Sequence, residues 1–264
     1  MLPSPCYLIS DIHLGHASQD VERSLLTFLR TLPERAPGGS LLINGDLFEF
    51  WFEWRTVVPR SGVRALAALM DLRDAGFPVT MIAGNHDCWG GEVLRDAGVT
   101  FHVGPWEGLL GGWRTRVEHG DGLRAREDRG YRALRSVLRN RMAIRAFRAL
   151  HPDLATRLAL GSSNTSRNYQ PRDEGRGLRD VAARALAADP ALELLVFGHS
   201  HVAALERMPS GNVYANAGSW LDAPTYLLAT PERITLRRWS DGGSAEGPEL
   251  HALDHVAQKP LSER

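Results

Sequence analysis

Cysteine is scarce in this chain of 264 residues. Cys6 and Cys88 are the two present, too few for a disulfide framework or a cysteine-ligated structural zinc site, so both are expected as reduced thiols. Long apolar runs are missing as well. No stretch approaches the roughly 18 residues that a membrane-crossing helix needs. The first ten residues carry no basic side chain and run straight into an Asp-x-His motif. A cleaved leader would remove Asp11, so the reading is a cytoplasmic protein. Lysine is nearly absent, with Lys259 the single example. No motif for nucleic-acid binding is present, so no nucleic acid is expected as a partner, and no obligate protein partner is inferred.

What is present is enough for a large core. Hydrophobic residues make up 43% and charged residues 23% of the chain, ordinary values for a folded globular protein. The formal net charge is zero, yet residues 124–179 carry fourteen Arg against five acidic residues. That local excess of nine positive charges points to a basic surface facing an anionic partner. The alternative reading of the same stretch is a solvated amphipathic helix packed on a core.

The apolar pattern alternates strand and helix over the first hundred residues. Strands are expected at Cys6–Ser10, Ser40–Asn44 and Val79–Ala83, with helices over 19–32 and about 62–75. A further strand at Trp113–Glu118 precedes an Arg-studded helical stretch at 124–150. A shorter helix follows at about 153–160, then a polar run from Gly161 to Pro171, then helix from about 176 to 188. Strand signals return at Glu193–Phe197 and continue to Trp239. The fold class is therefore layered α/β, with one domain over 1–240, a helical insertion at about 124–188, and a weakly patterned tail at 241–264.

Five short polar motifs follow these apolar runs: Ser10-Asp11-Ile12-His13, Gly45-Asp46, Gly84-Asn85-His86-Asp87, Glu118-His119-Gly120-Asp121 and Gly198-His199-Ser200-His201. Each alone has a bland explanation, as a turn or a helix cap. Their joint occurrence at successive strand ends, where α/β folds gather ligands, has none. Asp11 and His13, two residues apart, can reach one cation from the same side of an extended strand. Asp46 can give one oxygen to each of two cations. Asn85 offers a carbonyl oxygen, and His119, His199 and His201 offer imidazole nitrogens. This mixed nitrogen and oxygen set suits Mn, Fe, Zn or Co better than Ca. Two adjacent divalent ions are the usual apparatus for hydrolysing a phosphate ester or anhydride.

On these motifs the sequence resembles the calcineurin-like metallophosphoesterases. The resemblance implies a two-sheet β-sandwich flanked by helices, two divalent metal ions with manganese foremost, and a helical cap. It assigns Asp11, His13, Asp46 and His201 to one ion, and Asp46, Asn85, His119 and His199 to the other. His86 becomes the catalytic imidazole beside the phosphoryl group. Within the superfamily, Gly45-Asp46-Leu47-Phe48-Glu49-Phe50-Trp51 and His119-Gly120-Asp121-Gly122-Leu123, with Asp128, Tyr131 and the basic insertion, resemble hydrolases of UDP-2,3-diacylglucosamine. Many of those carry Arg where this chain has His86, whereas Asn85-His86-Asp87 resembles the general superfamily and a variant branch of the hydrolases.

That narrower resemblance implies cleavage of the diphosphate to UMP and an acylated glucosamine 1-phosphate. It places Asn85, Asp121, Ser163, Ser166 and Arg167 in contact with a nucleotide-sugar lipid. It also implies peripheral contact of the basic insertion with the inner face of the cytoplasmic membrane. Trp51, Phe52 and Trp54 line either an acyl or nucleobase pocket or the core. The competing functions are hydrolysis of another phosphoester (nucleotide, cyclic nucleotide or phosphoprotein), a nuclease, and a non-catalytic scaffold. The scaffold reading predicts lost ligands, and none is missing.

Overall fold

Strands β1 (Cys6–Ile9), β2 (Ser40–Asn44) and β3 (Val79–Ile82) are buried at every residue, which is why they read as unbroken apolar runs. Successive residues still point to opposite faces. Tyr7, Ile9, Leu41 and Ile43 pack beneath helices α1 (Gln19–Arg35) and α2 (Val63–Asp74), while Cys6, Leu8 and Leu42 face a second sheet. The computed structural model describes residues 1–125, 127–169, 173–240 and 247–255, with side chains described outside 162–169.

Helix α1 begins at Ser18, whose hydroxyl accepts the Val21 N–H at 3.3 Å, with Asp20 and Glu22 in the first turn to match the helix dipole. Its Leu25, Phe28, Leu29 and Leu32 form the buried stripe. Short helix α3 (Glu92–Asp96) leads into β4 (Val99–His102), which pairs with β3. Two antiparallel strands follow, β5 (Trp106–Leu110) and β6 (Trp113–Val117).

Four helices separate β6 from the next strand: α4 (Arg129–Leu138), α5 (Arg141–Arg148), α6 (Pro152–Tyr169) and α7 (Arg176–Ala188). Then come β7 (Leu194–Phe197), β8 (Ala204–Arg207), β9 (Val213–Asn216), β10 (Thr225–Ala229), β11 (Arg233–Arg238) and β12 (Glu249–Asp254).

The first sheet runs β12-β11-β10-β1-β2-β3-β4, with β1 to β4 parallel, and the second runs β5-β6-β7-β9-β8. Val117, Leu194, Val196 and Val213 fill the space between the sheets with Leu8, Leu42 and Leu227. On the far side of the second sheet, Leu178, Ala182 and Leu186 of α7 cover Leu195, Phe197 and Tyr214. The expected two-sheet sandwich flanked by helices is the architecture observed. Helix α7 is one of its covering layers, whereas α4 and α5 contain no fully buried residue and form a cap outside the two sheets.

Three local expectations need correction. The helical stretch at 124–150 is broken at Asn140, whose side-chain oxygen accepts the N–H groups of Met142 and Ala143 and starts α5 afresh. The polar run after Gly161 continues α6 as far as Tyr169. Beyond Asp241, residues Glu249–Asp254 form an edge strand on β11, where the sequence pattern gave no strand signal.

Candidate metal centre

The five motifs lie directly beyond the C-terminal ends of β1, β2, β3, β6 and β7. Strands β1, β2 and β3 are parallel in one sheet, and β6 and β7 in the other, so their ends are brought to one rim of the sandwich. The backbone there is unusual. Among the described residues, six non-glycine residues have left-handed φ, and five of them are Asp11, His13, Asp46, His199 and His201, at +52° to +61°. Each costs about 1 kcal/mol or more relative to an ordinary conformation. Strain at each turn swings these side chains inward from the strand ends.

Three groupings of ligand-capable atoms result, each with its atoms within 4.8 Å of one another: Asp11, His13 and His201; His13, Asp46 and His86; and Asp46, His119 and His199. Asp46 joins them. Its Oδ2 lies 3.9 Å from His13 Nε2 on one side and 3.2 Å from His119 Nε2 on the other. His13 Nε2 is 3.3 Å from His201 Nε2, which is 3.5 Å from Asp11 Oδ1. Gly84 allows the loops this close approach, because a Cβ there would collide with the Asp46 carboxylate.

The remaining ring nitrogens settle which atom faces inward. His119 Nδ1 donates to the Asn44 carbonyl at 2.8 Å, and His201 Nδ1 faces Asp222 Oδ2 at 3.2 Å. His13 Nδ1 faces Glu49 Oε2 at 3.0 Å. For His119 and His201 this leaves the lone pair on Nε2, the arrangement a metal-binding imidazole requires, while the His13 Nδ1 contact with Glu49 is close but lacks hydrogen-bond geometry. Two buried acceptors, Asn85 Oδ1 and His119 Nε2, have no hydrogen-bond partner. Buried polar atoms are rarely left so, and a bound cation would give such acceptors a partner. The donor set and its orphaned atoms therefore fit a pair of divalent ions.

Electrostatics agree. Burial pushes the Asp46 carboxyl up, but His119, His86 and His13 around it outweigh that and hold it well below the usual carboxylate range. Burial lowers His13, and it lowers His199 to about 4, so both favour the neutral, ligand form. His119 is raised well above its ordinary value: burial opposes the charge, but adjacent Asp46 overrides it. His119 must lose that proton to act as a ligand.

His86 stands at the edge of this cluster, its Nε2 4.0 Å from Asp46 Oδ2 and its Nδ1 2.8 Å from the Glu49 carbonyl. A carbonyl only accepts, so Nδ1 carries hydrogen and Nε2 is the nitrogen that can take or give a proton. Asn85, His86 and His199 line one end of a cavity of about 310 Å³, whose apolar walls include Phe50, Phe52, Trp89, Leu138 and Phe147. Of the aromatic trio in the sequence, Phe52 faces the cavity and Trp51 stacks on Phe48 in the core. Trp54 packs on Phe52 and Phe147.

Asp121 is not brought to this cavity. It is buried beneath α4, where it accepts from Tyr131 Oη at 2.7 Å. Asp87 ties two of the motif loops together by accepting Leu47 N–H at 2.8 Å and Gly84 N–H at 2.7 Å. The side chains of Ser163, Ser166 and Arg167 lie outside the described residues. Glu49 and Asp222, which hold two of the histidines, carried no assignment from sequence. Glu49 had one available signal, its place three residues after Asp46 on the same loop.

A two-sheet sandwich whose rim gathers Asp and His ligands around a shared carboxylate defines a metal-dependent hydrolase of phosphate esters. Residues 4–203 match the family model of the calcineurin-like phosphoesterases, and the chain belongs to that family. It is similar to a UDP-2,3-diacylglucosamine hydrolase of Porphyromonas gingivalis, 28% identical over 260 residues that span 90% of this chain and 98% of that protein. The UDP-2,3-diacylglucosamine hydrolase of Pseudomonas fluorescens is 32% identical over 262 residues, 94% of this chain and 95% of the relative. Among solved structures, a Vps29 double mutant from Entamoeba histolytica aligns with 95% of this chain and 99% of its own, at 14% identity and a TM-score of 0.49. Among the described residues no helix is long and apolar enough to cross a membrane.

Proposed function

We propose that this phosphoesterase cleaves the diphosphate of UDP-2,3-diacylglucosamine to UMP and an acylated glucosamine 1-phosphate, with two manganese ions as its metals. One observation carries the reading: a predominantly apolar cavity of about 310 Å³ opens beside the metal cluster, with His86 at the junction. A hydrolase of small polar phosphoesters has no use for such a wall, whereas fatty acyl chains gain about 0.8 kcal/mol for each buried methylene. The two relatives named as UDP-2,3-diacylglucosamine hydrolases support the same substrate.

In this reading Asp11, His13, Asp46 and His201 hold one ion, and Asp46, Asn85, His119 and His199 the other. The bound ions supply a water deprotonated near neutral pH and offset charge on the phosphoryl oxygens. His86 acts at the leaving side. With Nδ1–H fixed on the Glu49 carbonyl, its Nε2 faces the reacting phosphate and delivers a proton to the departing phosphate oxygen. Water oxygen bonds to the α-phosphorus as the bond to the bridging oxygen breaks, giving UMP. The domain spans 1–240, and α4 to α6 form a cap over the acyl chains. Met142 and Leu154 are exposed on that cap among its arginines and away from the cavity lining, a composition suited to peripheral contact with an anionic membrane surface.

The test is an assay of UMP release from UDP-2,3-diacylglucosamine in the presence of manganese. Release that a chelator abolishes and manganese restores is expected. Turnover of a generic phosphodiester with no UMP release would sink the substrate assignment.

A further inference from the structure

The loop after His119 holds a buried carboxylate that the hydrolytic chemistry does not use. Asp121 is 5% exposed, and three side chains of one helix converge on it. Tyr131 Oη donates to Oδ2 at 2.7 Å, and Arg135 Nη1 and Arg139 Nη2 lie 3.5 Å and 3.7 Å from the same oxygen. Arg135 Nη1 also donates to the Asp121 carbonyl at 2.9 Å. These three residues recur every four positions, so they form one stripe along α4 and its C-terminal cap. The neighbouring stripe, Leu134, Val137 and Leu138, lines the cavity. A loop that begins at a metal-site histidine thus fixes how α4 presents its apolar wall. Among the described residues α4 has no fully buried residue, and Trp89 Nε1 donates to the Leu138 carbonyl at its end, at 3.0 Å.

We propose that Asp121 is a positioning residue, a latch that holds α4 as the cavity wall and thereby sets the preference for acylated over small substrates. This rests on the acyl-substrate reading above. Its carboxylate is engaged by the cap and makes no substrate contact. The arginines are about a third exposed, but their loss leaves the buried Asp121 carboxylate without cationic partners, which makes the latch sensitive to their removal.

The experiment replaces Arg135→Met together with Arg139→Met in the full, manganese-loaded chain. Three quantities are read: hydrogen exchange of the α4 amides, and kcat and KM for UDP-2,3-diacylglucosamine and for bis(p-nitrophenyl) phosphate. Faster α4 exchange is expected, with KM for the acylated substrate raised about tenfold at nearly constant kcat. Turnover of the small diester stays within about twofold. Tyr131→Phe, which removes one neutral donor, moves exchange in the same direction by less. Unchanged α4 exchange in both variants would overturn the latch. Faster exchange with equal losses on both substrates, or with no loss on either, would overturn its role in specificity. If the wild type releases no UMP, the substrate reading fails by itself, and the latch stands or falls on α4 exchange.

Discussion

Strands β1, β2 and β7 are buried at every residue, whereas helices α4 and α5 of the cap bury none of theirs. The sandwich holds Asp11, His13, Asp46 and His119 at 2% exposure or less, while Leu134, Val137 and Met142 of the cap are 47% to 68% exposed. The two regions also differ in how they are joined. Ligand loops are fixed by backbone hydrogen bonds from neighbouring strand ends, such as Ile12 N–H and His13 N–H to the Asp46 carbonyl at 2.9 and 3.0 Å. The cap is held by side chains: Asp121 with its partners, and Arg124, which pairs with Asp128 at 2.7 Å and Asp173 at 3.3 Å across the neck of the insertion. Elements with little buried apolar contact are the ones that open most readily. In the proposed reading, chemistry resides on the well-packed part and substrate selection on the more open one.

Core substitutions break that division most severely. Asp46→Asn removes the carboxylate shared by the two ligand groups and should lower turnover about a thousandfold or more, with metal lost in proportion. Metal content by atomic emission and turnover under saturating manganese check both halves. His86→Ala should cut turnover about a hundredfold or more while both metals remain bound; stoichiometric metal loss in this variant would contradict its assignment as proton donor. Glu49→Gln should weaken metal affinity about tenfold, because His13 loses the anionic partner of its Nδ1. A calorimetric metal titration reads this directly, and unchanged affinity would remove Glu49 from the support of the site.

Much of this division can be read from the chain. Four of the five strands that end in these motifs, β1, β2, β3 and β7, are short apolar runs buried on both faces, and the motif residues mark where they stop; β6 alternates, with Arg114 exposed. Strands β4, β5 and β12 escaped because they are partly exposed: Val99–His102 buries only Val99, Trp106–Leu110 only Leu110, and Glu249–Asp254 none. Their place in the sheets comes from pairing with distant neighbours, which no local pattern encodes. The candidate ligand residues were likewise apparent from residue type, but the geometry that gathers them was not. Left-handed φ at Asp11, His13, Asp46, His199 and His201 is imposed by the surrounding loops against intrinsic preference. Asp121 shows the converse. A conspicuous acidic residue beside a ligand histidine invites a substrate role, yet its partners lie at 131, 135 and 139, and only folding of the cap brings them to it.

The most direct test compares one core variant and one cap variant on two substrates. Phe147 packs on Phe52 at 5.0 Å between ring centroids and lines the cavity. The quantity to measure is kcat/KM for UDP-2,3-diacylglucosamine divided by kcat/KM for a nucleotide sugar without acyl chains. In His86→Ala both values should fall together and leave the ratio unchanged. In Phe147→Ala only the acylated substrate should suffer, lowering the ratio about tenfold. A Phe147→Ala protein that loses activity equally on both substrates, or a His86→Ala protein whose ratio shifts, would contradict the separation of chemistry from selection.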